Sequence, residues 1–182
     1  MDGPQAVPFG RDARRVTDAT DPLAARIDAR IDLAYRLAAV ILGDALEAED
    51  AVADAALSAW RSRSRLRDLD RFDAWFDRIV VNGCRDRLRA RRRRPVEVIP
   101  VELADSSTDD FRTLVDTRDT VGRAMDALEP DERIVLVLRF WADLPVDSIA
   151  ARLNVPAGTV KSRLNRATGR MRTLLLVAES DR

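Results

Sequence analysis

The sequence contains no histidine, and this absence removes the commonest general base, a frequent metal ligand and most catalytic triads. Neither of the glycine-rich phosphate-binding motifs, G-x-x-x-x-G-K-[ST] or G-x-G-x-x-G, occurs in it. Catalysis by carboxylates alone remains formally possible with this composition. We therefore expect a protein that is not an enzyme, with no catalytic residue, no metal site and no cofactor.

Cysteine and long apolar runs are also scarce. The single cysteine, Cys84, excludes an intramolecular disulfide and suits a reducing cytoplasm. No stretch approaches 18 consecutive apolar residues, and the N-terminus lacks the apolar core of a signal peptide. These features predict a soluble cytoplasmic protein without membrane insertion.

Glycine and aromatic residues are few, whereas alanine, leucine, arginine and aspartate dominate, which favours an all-α fold. A chain of 182 residues can hold two small domains. The 31 basic and 31 acidic residues are unevenly distributed along it. Residues 1–94 carry 19 basic and 16 acidic side chains (+3), residues 95–117 carry 1 and 6 (−5), and residues 118–182 carry 11 and 9 (+2). Two mildly basic units thus flank an acidic connector.

Periodicity and helix-breaking residues divide the chain further. Residues 1–21 contain prolines and glycines without any period, and we expect a flexible tail. Residues 22–94 predict a first helical domain with helices over about 22–42, 45–60 and 72–90, and with a charged loop at 61–71. Residues 95–117 predict a flexible acidic linker. Residues 118–178 predict a second helical domain.

The second domain has the pattern of a helix-turn-helix. A short helix over about 145–153 is followed by the turn Asn154-Val155-Pro156 and by a long helix to about Val177. On that long helix an apolar stripe opposes a polar face, and only the stripe should pack against the domain. The stripe comprises Val160, Leu164, Ala167, Met171, Leu174 and Leu175, and the polar face comprises Lys161, Ser162, Asn165, Arg166 and Gly169. Arginine, lysine, asparagine and serine are side chains suited to base edges, so this face predicts DNA reading.

Two segments resemble known regions of one family. The runs 128–133, 138–140, 149–150 and 158–167, including Gly-Thr-Val-Lys-Ser-Arg, resemble region 4 of the extracytoplasmic-function (ECF) sigma factors, a group of the sigma-70 family. Independently, residues 48–52, 75–79 and 86–89 with Trp60 and Asn82 resemble region 2 of the same group. The resemblance covers about residues 25–94 and 118–175. It implies a region 2-like bundle and a region 4-like helix-turn-helix.

The resemblance implies roles for particular residues. The −35 promoter element would be read by Thr159, Lys161, Ser162, Arg163, Asn165 and Arg166. A flipped base of the −10 element would be captured by Arg65, Leu66, Arg67, Trp75, Arg78, Asn82 and Arg85, where Leu66 stands at a position that is aromatic in many relatives. Duplex phosphates would be held by Arg89, Arg91, Arg92, Arg93 and Arg94. Core polymerase would be contacted by Glu47, Asp50 and Asp54.

The partners implied are core RNA polymerase through its β and β′ subunits, promoter DNA and an anti-sigma factor. Two other interpretations stay open on the sequence alone. One is a stand-alone helix-turn-helix regulator that binds DNA as a dimer, and the other is a helical adaptor whose arginines meet acidic protein surfaces. The second basic unit and the acidic linker favour the sigma factor, because a dimeric repressor needs neither. We further expect Trp60, Trp75 and Trp141 to be core anchors and Cys84 to be buried.

Overall fold

The computed structural model describes residues 21–66, 68–93 and 120–180, all of them helical or in connecting turns. Three helices form an N-terminal unit, and four helices form a C-terminal unit. The N-terminal helices are α1 (Pro22–Leu42), α2 (Ala45–Arg61) and α3 (Phe72–Arg93). The C-terminal helices are α4 (residues 120–126), α5 (Pro130–Leu136), α6 (Val146–Leu153) and α7 (Ala157–Ser180).

Capping residues determine where the first two helices begin and end. The Asp21 carboxylate accepts a hydrogen bond from the Leu23 amide at 2.8 Å, and Pro22 occupies the first turn of α1. Gly43 ends α1 with a φ of 71°, a left-handed conformation that glycine adopts without steric cost. Asp44 then caps α2 by accepting from the Glu47 amide at 2.9 Å.

Helices α1, α2 and α3 pack around a core that includes Ile41, Phe72, Phe76 and Val80, none of which is accessible to solvent. The Phe72 and Phe76 rings stack with their centroids 5.5 Å apart. Cys84 lies fully buried among these side chains, as expected. Two short 3-10 turns, Arg63–Arg65 and Leu69–Arg71, occupy the loop between α2 and α3.

Helix α5 continues into a π-helical turn over Val137–Trp141, in which the Ala142 amide bonds the Val137 carbonyl at 3.0 Å. A π turn adds one residue to the ordinary helical period and so rotates the following side chains. Phe140 and Trp141 are consequently exposed. The expectation that Trp141 is a core anchor is therefore wrong, whereas Trp60 and Trp75 are half-buried and pack against the core.

The two units pack against each other and share a continuous hydrophobic core. Helix α3 contacts both α5 and α6. Buried residues of the C-terminal unit, including Val135, Leu138, Ile149 and Val160, join the cluster that contains Phe76 and Val80. Burial of this apolar surface is the main force that holds the units together.

The observed helices agree with the sequence-based expectations to within a few residues, and α3 and α7 each extend three residues further. The predicted tail at residues 1–21 lies outside the described residues except for Asp21, which caps α1, and the predicted linker at 95–117 lies outside them entirely. Among the described helices, none combines the length and the apolarity needed to cross a membrane.

Candidate nucleic-acid interface

Helices α6 and α7 form the helix-turn-helix. Asn154 ends α6 in a left-handed conformation with a φ of 54°, and the Val155 amide donates to the Ala150 carbonyl at 3.1 Å. Ile149 and Leu153 of α6 and Val160 of α7 are buried together in the shared core. The turn therefore holds α7 at a fixed angle to α6.

Helix α7 presents the polar face that the sequence predicted. Val160 and Ala167 are fully buried, and Leu164, Met171, Leu174 and Leu175 are half-buried on the same side. Lys161, Ser162, Asn165, Arg166 and Gly169 are exposed, whereas Thr159 and Arg163 are half-buried. The Ser162 hydroxyl donates to the Thr159 carbonyl at 2.9 Å. The side chains suited to base edges thus line one accessible strip.

Three carboxylates, those of Glu129, Asp131 and Glu132, lie at the N-terminus of α5 and attract arginines of α7. Asp131 pairs with Arg163 at 3.0 Å. Glu132, which is buried, pairs with Arg170 at 3.0 Å and lies 3.8 Å from Arg166. Acidic side chains are favourable at a helix N-terminus because the helix dipole is positive there. Two of the predicted −35 readers, Arg163 and Arg166, thus face carboxylates of their own unit.

Two of these carboxylates, those of Glu129 and Asp131, also attract arginines of α3. Asp131 pairs with Arg85 at 2.9 Å and with Arg89 at 3.4 Å. Arg92 pairs with Glu129 and donates to the Leu128 carbonyl at 3.0 Å. The hydrogen bond from Arg92 lowers the pKa of the Glu129 carboxyl below its ordinary value. The arginines predicted for two separate DNA surfaces therefore meet at one acidic helix end.

The remaining residues predicted to bind the −10 element are divided between two places. Arg65 and Asn82 are exposed, and Leu66 is half-buried against the core. Trp75 is half-buried with its ring centroid 6.2 Å from that of Phe72. Arg78 instead donates to the carbonyls of Ala151 and Arg152 at the end of α6, the latter at 3.1 Å. Arg67 lies outside the described residues.

The arginine run at the end of α3 is only partly directed to solvent. Arg89 and Arg93 are exposed, but Arg91 pairs with Glu47 and donates to the Leu42 carbonyl at 2.9 Å. The hydrogen bond to Glu47 raises the pKa of Arg91. Arg91 therefore joins α3 to the end of α1 and the start of α2. Arg94 lies outside the described residues.

The acidic residues predicted to contact polymerase lie along α2. Asp50 and Asp54 are exposed, and Glu47 is half-buried. Asp54 pairs with Arg87 of α3, while Glu47 is the partner of Arg91. These three carboxylates thus form an accessible acidic strip on α2, and two of them, Glu47 and Asp54, are already in ion pairs.

Sequence reasoning missed the residues that join the two units. Asp77 is 5% exposed and accepts from Arg30 at 3.0 Å and from Arg152 at 3.2 Å, which connects α1, α3 and α6. Its position beside Phe76 on the apolar stripe of α3 is the signal that could have revealed it, because buried carboxylates are usually paired. Asp131 lies in the run that resembles region 4, but nothing in its spacing indicated partners in α3.

Comparison with known proteins agrees with this geometry. The family model for sigma-70 region 2 matches residues 27–94, and the model for sigma-70 region 4 matches residues 118–171. The chain is 31% identical over 153 residues to the RNA polymerase sigma-E factor of Streptomyces coelicolor, covering 84% of this chain and 85% of that protein. It is 36% identical over 145 residues to the ECF RNA polymerase sigma factor SigM of Mycobacterium tuberculosis, covering 78% and 70%.

Among solved structures, the chain resembles the sigma factor RpoE from Bartonella quintana, crystallised in complex with the anti-sigma factor NepR. The TM-score is 0.60 at 22% identity, covering 85% of this chain and 96% of that one, and this likeness concerns the fold. The paired regions and the helix-turn-helix define the class as sigma factors, which act in transcription initiation. The chain belongs to the sigma-70 family, in its ECF group. A stand-alone regulator is not favoured.

Proposed function

We propose that this protein binds core RNA polymerase, reads the −35 element with α7 and captures a −10 base with the N-terminal unit. The exposed strip of Lys161, Asn165 and Arg166 on a helix fixed by Val160 and Ala167 is the observation that carries the proposal. Arginine and lysine recognise guanine, and asparagine recognises adenine, through the major groove. This proposal also includes the residues assigned to each promoter element, contact with the β and β′ subunits of polymerase, and a cytoplasmic location.

Transcription in vitro with core polymerase tests the proposal directly. The wild-type protein should direct transcription from a cognate promoter, and core polymerase alone should not. Arg166→Ala or Lys161→Ala should weaken −35 recognition by about 1–3 kcal/mol, the usual value of a good base contact. Arg172→Ala is a matched control, because Arg172 is exposed on the same helix outside the proposed set. Unchanged base preference in both test variants, measured by selection from a randomised −35 library, would exclude these residues as readers.

The −10 assignment depends on Asn82, which is exposed on α3. Asn82→Ala should leave polymerase binding and closed complexes nearly intact but reduce open complexes, as detected by permanganate footprinting. A premelted template removes the cost of unstacking the base, so a defect that persists on it indicates a lost base contact. Wild-type promoter opening by this variant would contradict base capture by Asn82.

The polymerase contact is assigned to the acidic strip of α2. Asp50 is exposed, so Asp50→Asn should weaken polymerase binding without altering the fold. Asp28→Asn, on the exposed face of α1, changes the net charge equally and serves as the control. Equal polymerase affinity of the two variants would place the contact elsewhere. We further propose an anti-sigma factor as a regulatory partner and no enzymatic activity of the protein's own.

A further inference from the structure

An open cleft of about 460 Å³ lies between the end of α3, the start of α5 and α7. Five arginines line it: Arg89, Arg92, Arg93, Arg163 and Arg166. Three carboxylates face them, those of Glu129, Asp131 and Glu132. The five positive and three negative charges leave the lining with a net charge of +2.

Further arginines around the cleft increase this excess. Arg85 pairs with Asp131, and Arg170 pairs with Glu129 and Glu132. Among the described residues, seven arginines thus surround three carboxylates, and six of the seven pair with them. The net charge of the whole cluster is therefore +4. Asp131 alone receives Arg85, Arg89 and Arg163, and none of the three forms a bidentate pair of hydrogen bonds with it.

The cluster also leaves buried donors without acceptors. Among the described residues, Nε and Nη2 of Arg85 and Nη1 of Arg163 are buried nitrogens that lack a hydrogen-bond partner. Oδ1 of Asp131 also makes no hydrogen bond, although it lies 2.9 Å from Nε of Arg85. Both arginines flank Asp131 from different units. Unpaired buried donors are costly, particularly when they are charged. A further anionic oxygen placed beside Asp131 would supply the missing acceptor and neutralise part of the excess charge.

The size of the cleft selects the kind of anion. A volume of about 460 Å³ falls within the range of small-molecule sites, about 300–1,000 Å³. We propose that this cleft binds the polyphosphate chain of a small soluble ligand, bridging α3 and α7. The consequence for promoter binding depends on the proposed function, because Arg89, Arg92, Arg163 and Arg166 are also proposed DNA contacts.

Isothermal titration with inorganic tripolyphosphate tests the site on the full chain. We expect saturable binding with one site per chain, and a binding constant at least about tenfold weaker in Arg89→Ala and Arg166→Ala, since each loses a charged contact. Both side chains are more than half exposed, so these variants should fold normally. Arg36→Ala removes an exposed arginine of α1 and should bind like the wild type. Absence of saturable binding, or equal weakening in Arg36→Ala, would overturn the proposal.

A second arm identifies the source of the phosphate chain. Tighter binding of ATP than of tripolyphosphate would indicate a nucleotide, and equal binding would indicate that the phosphate chain alone is recognised. Tripolyphosphate should also inhibit promoter binding more strongly than sodium chloride does at equal ionic strength. The proposed function is tested separately by transcription without tripolyphosphate. If the protein directs transcription but binds no tripolyphosphate, the proposed polyphosphate site is refuted and the proposed function is not.

Discussion

The buried carboxylate of Asp77 provides the sharpest test of how the two units are joined. Asp77 receives both Arg30 of α1 and Arg152 of α6, and its side chain is 8% exposed. Removing one partner of a buried ion pair costs about 3–5 kcal/mol. Arg30 and Arg152 are 22% and 17% exposed and can turn partly to water once Asp77 is gone. We therefore expect Asp77→Ala to cost about 3 kcal/mol, near the lower limit of that range.

Urea and thermal unfolding followed by circular dichroism measure this loss. A loss of about 3 kcal/mol corresponds to a decrease in Tm of about 6–12 °C for a protein of this size. Asp143→Asn is the control, because Asp143 is 96% exposed, its ion pair with Arg139 should be worth less than about 1 kcal/mol, and asparagine tolerates the left-handed φ of 48° at this position. If Asp77→Ala lowers the free energy of unfolding by less than about 1 kcal/mol, the buried ion pairs do not hold the units together as argued.

A double-mutant cycle isolates the contact between the units. Arg152→Ala and Asp77→Ala should be less damaging together than the sum of their separate effects, with a coupling of about 0.5–3 kcal/mol. Additive effects would show that the pair between α3 and α6 does not contribute to stability.

Three further predictions concern the core and its boundaries. Ile149→Ala, in α6, should cost about 2–5 kcal/mol and leave a single unfolding transition, whereas two separate transitions would contradict a shared core. Gly43→Ala should cost about 1 kcal/mol, because φ is 71° and the new Cβ would lie 2.9 Å from Nη2 of Arg133; unchanged stability in urea would contradict this. Burial raises the pKa of the Cys84 thiol to about 12, so the reactive thiolate stays negligible at pH 8. Its modification by a disulfide reagent should therefore require unfolding, and rapid labelling of the native protein would contradict its burial.

The sequence allowed most of the helices to be predicted because their signals are local. Asp21 with Pro22 and Gly43 define the ends of α1, and the stripe beginning at Phe72 defines α3. The end of α3 was predicted at Ala90, whereas the helix continues to Arg93. Its last turn depends on tertiary partners, since Arg91 reaches Glu47 and the Leu42 carbonyl. No local pattern contains that information.

The candidate site was predictable in composition but not in arrangement. The polar strip of α7 follows from helical spacing, and the structure confirms the exposure of Lys161, Asn165 and Arg166. The meeting of Arg85 and Arg163 at Asp131 could not be predicted, because charged side chains on helices usually face solvent. The π turn before Trp141 was missed for a similar reason, since one added residue shifts the period without changing the composition.

The shared core has a consequence for the affinity of the protein for promoters. The −10 and −35 elements are separated by about 25 base pairs, which corresponds to about 85 Å along a duplex that rises 3.4 Å per base pair. Arg85, proposed for the −10 element, and Arg163, proposed for the −35 element, here pair with the same carboxylate, so the packed arrangement cannot span that distance. The 26 residues from 94 to 119 reach at most about 90 Å when fully extended. Only the separated fraction of molecules is then competent, and a fraction of about 1% would weaken the apparent affinity about a hundredfold.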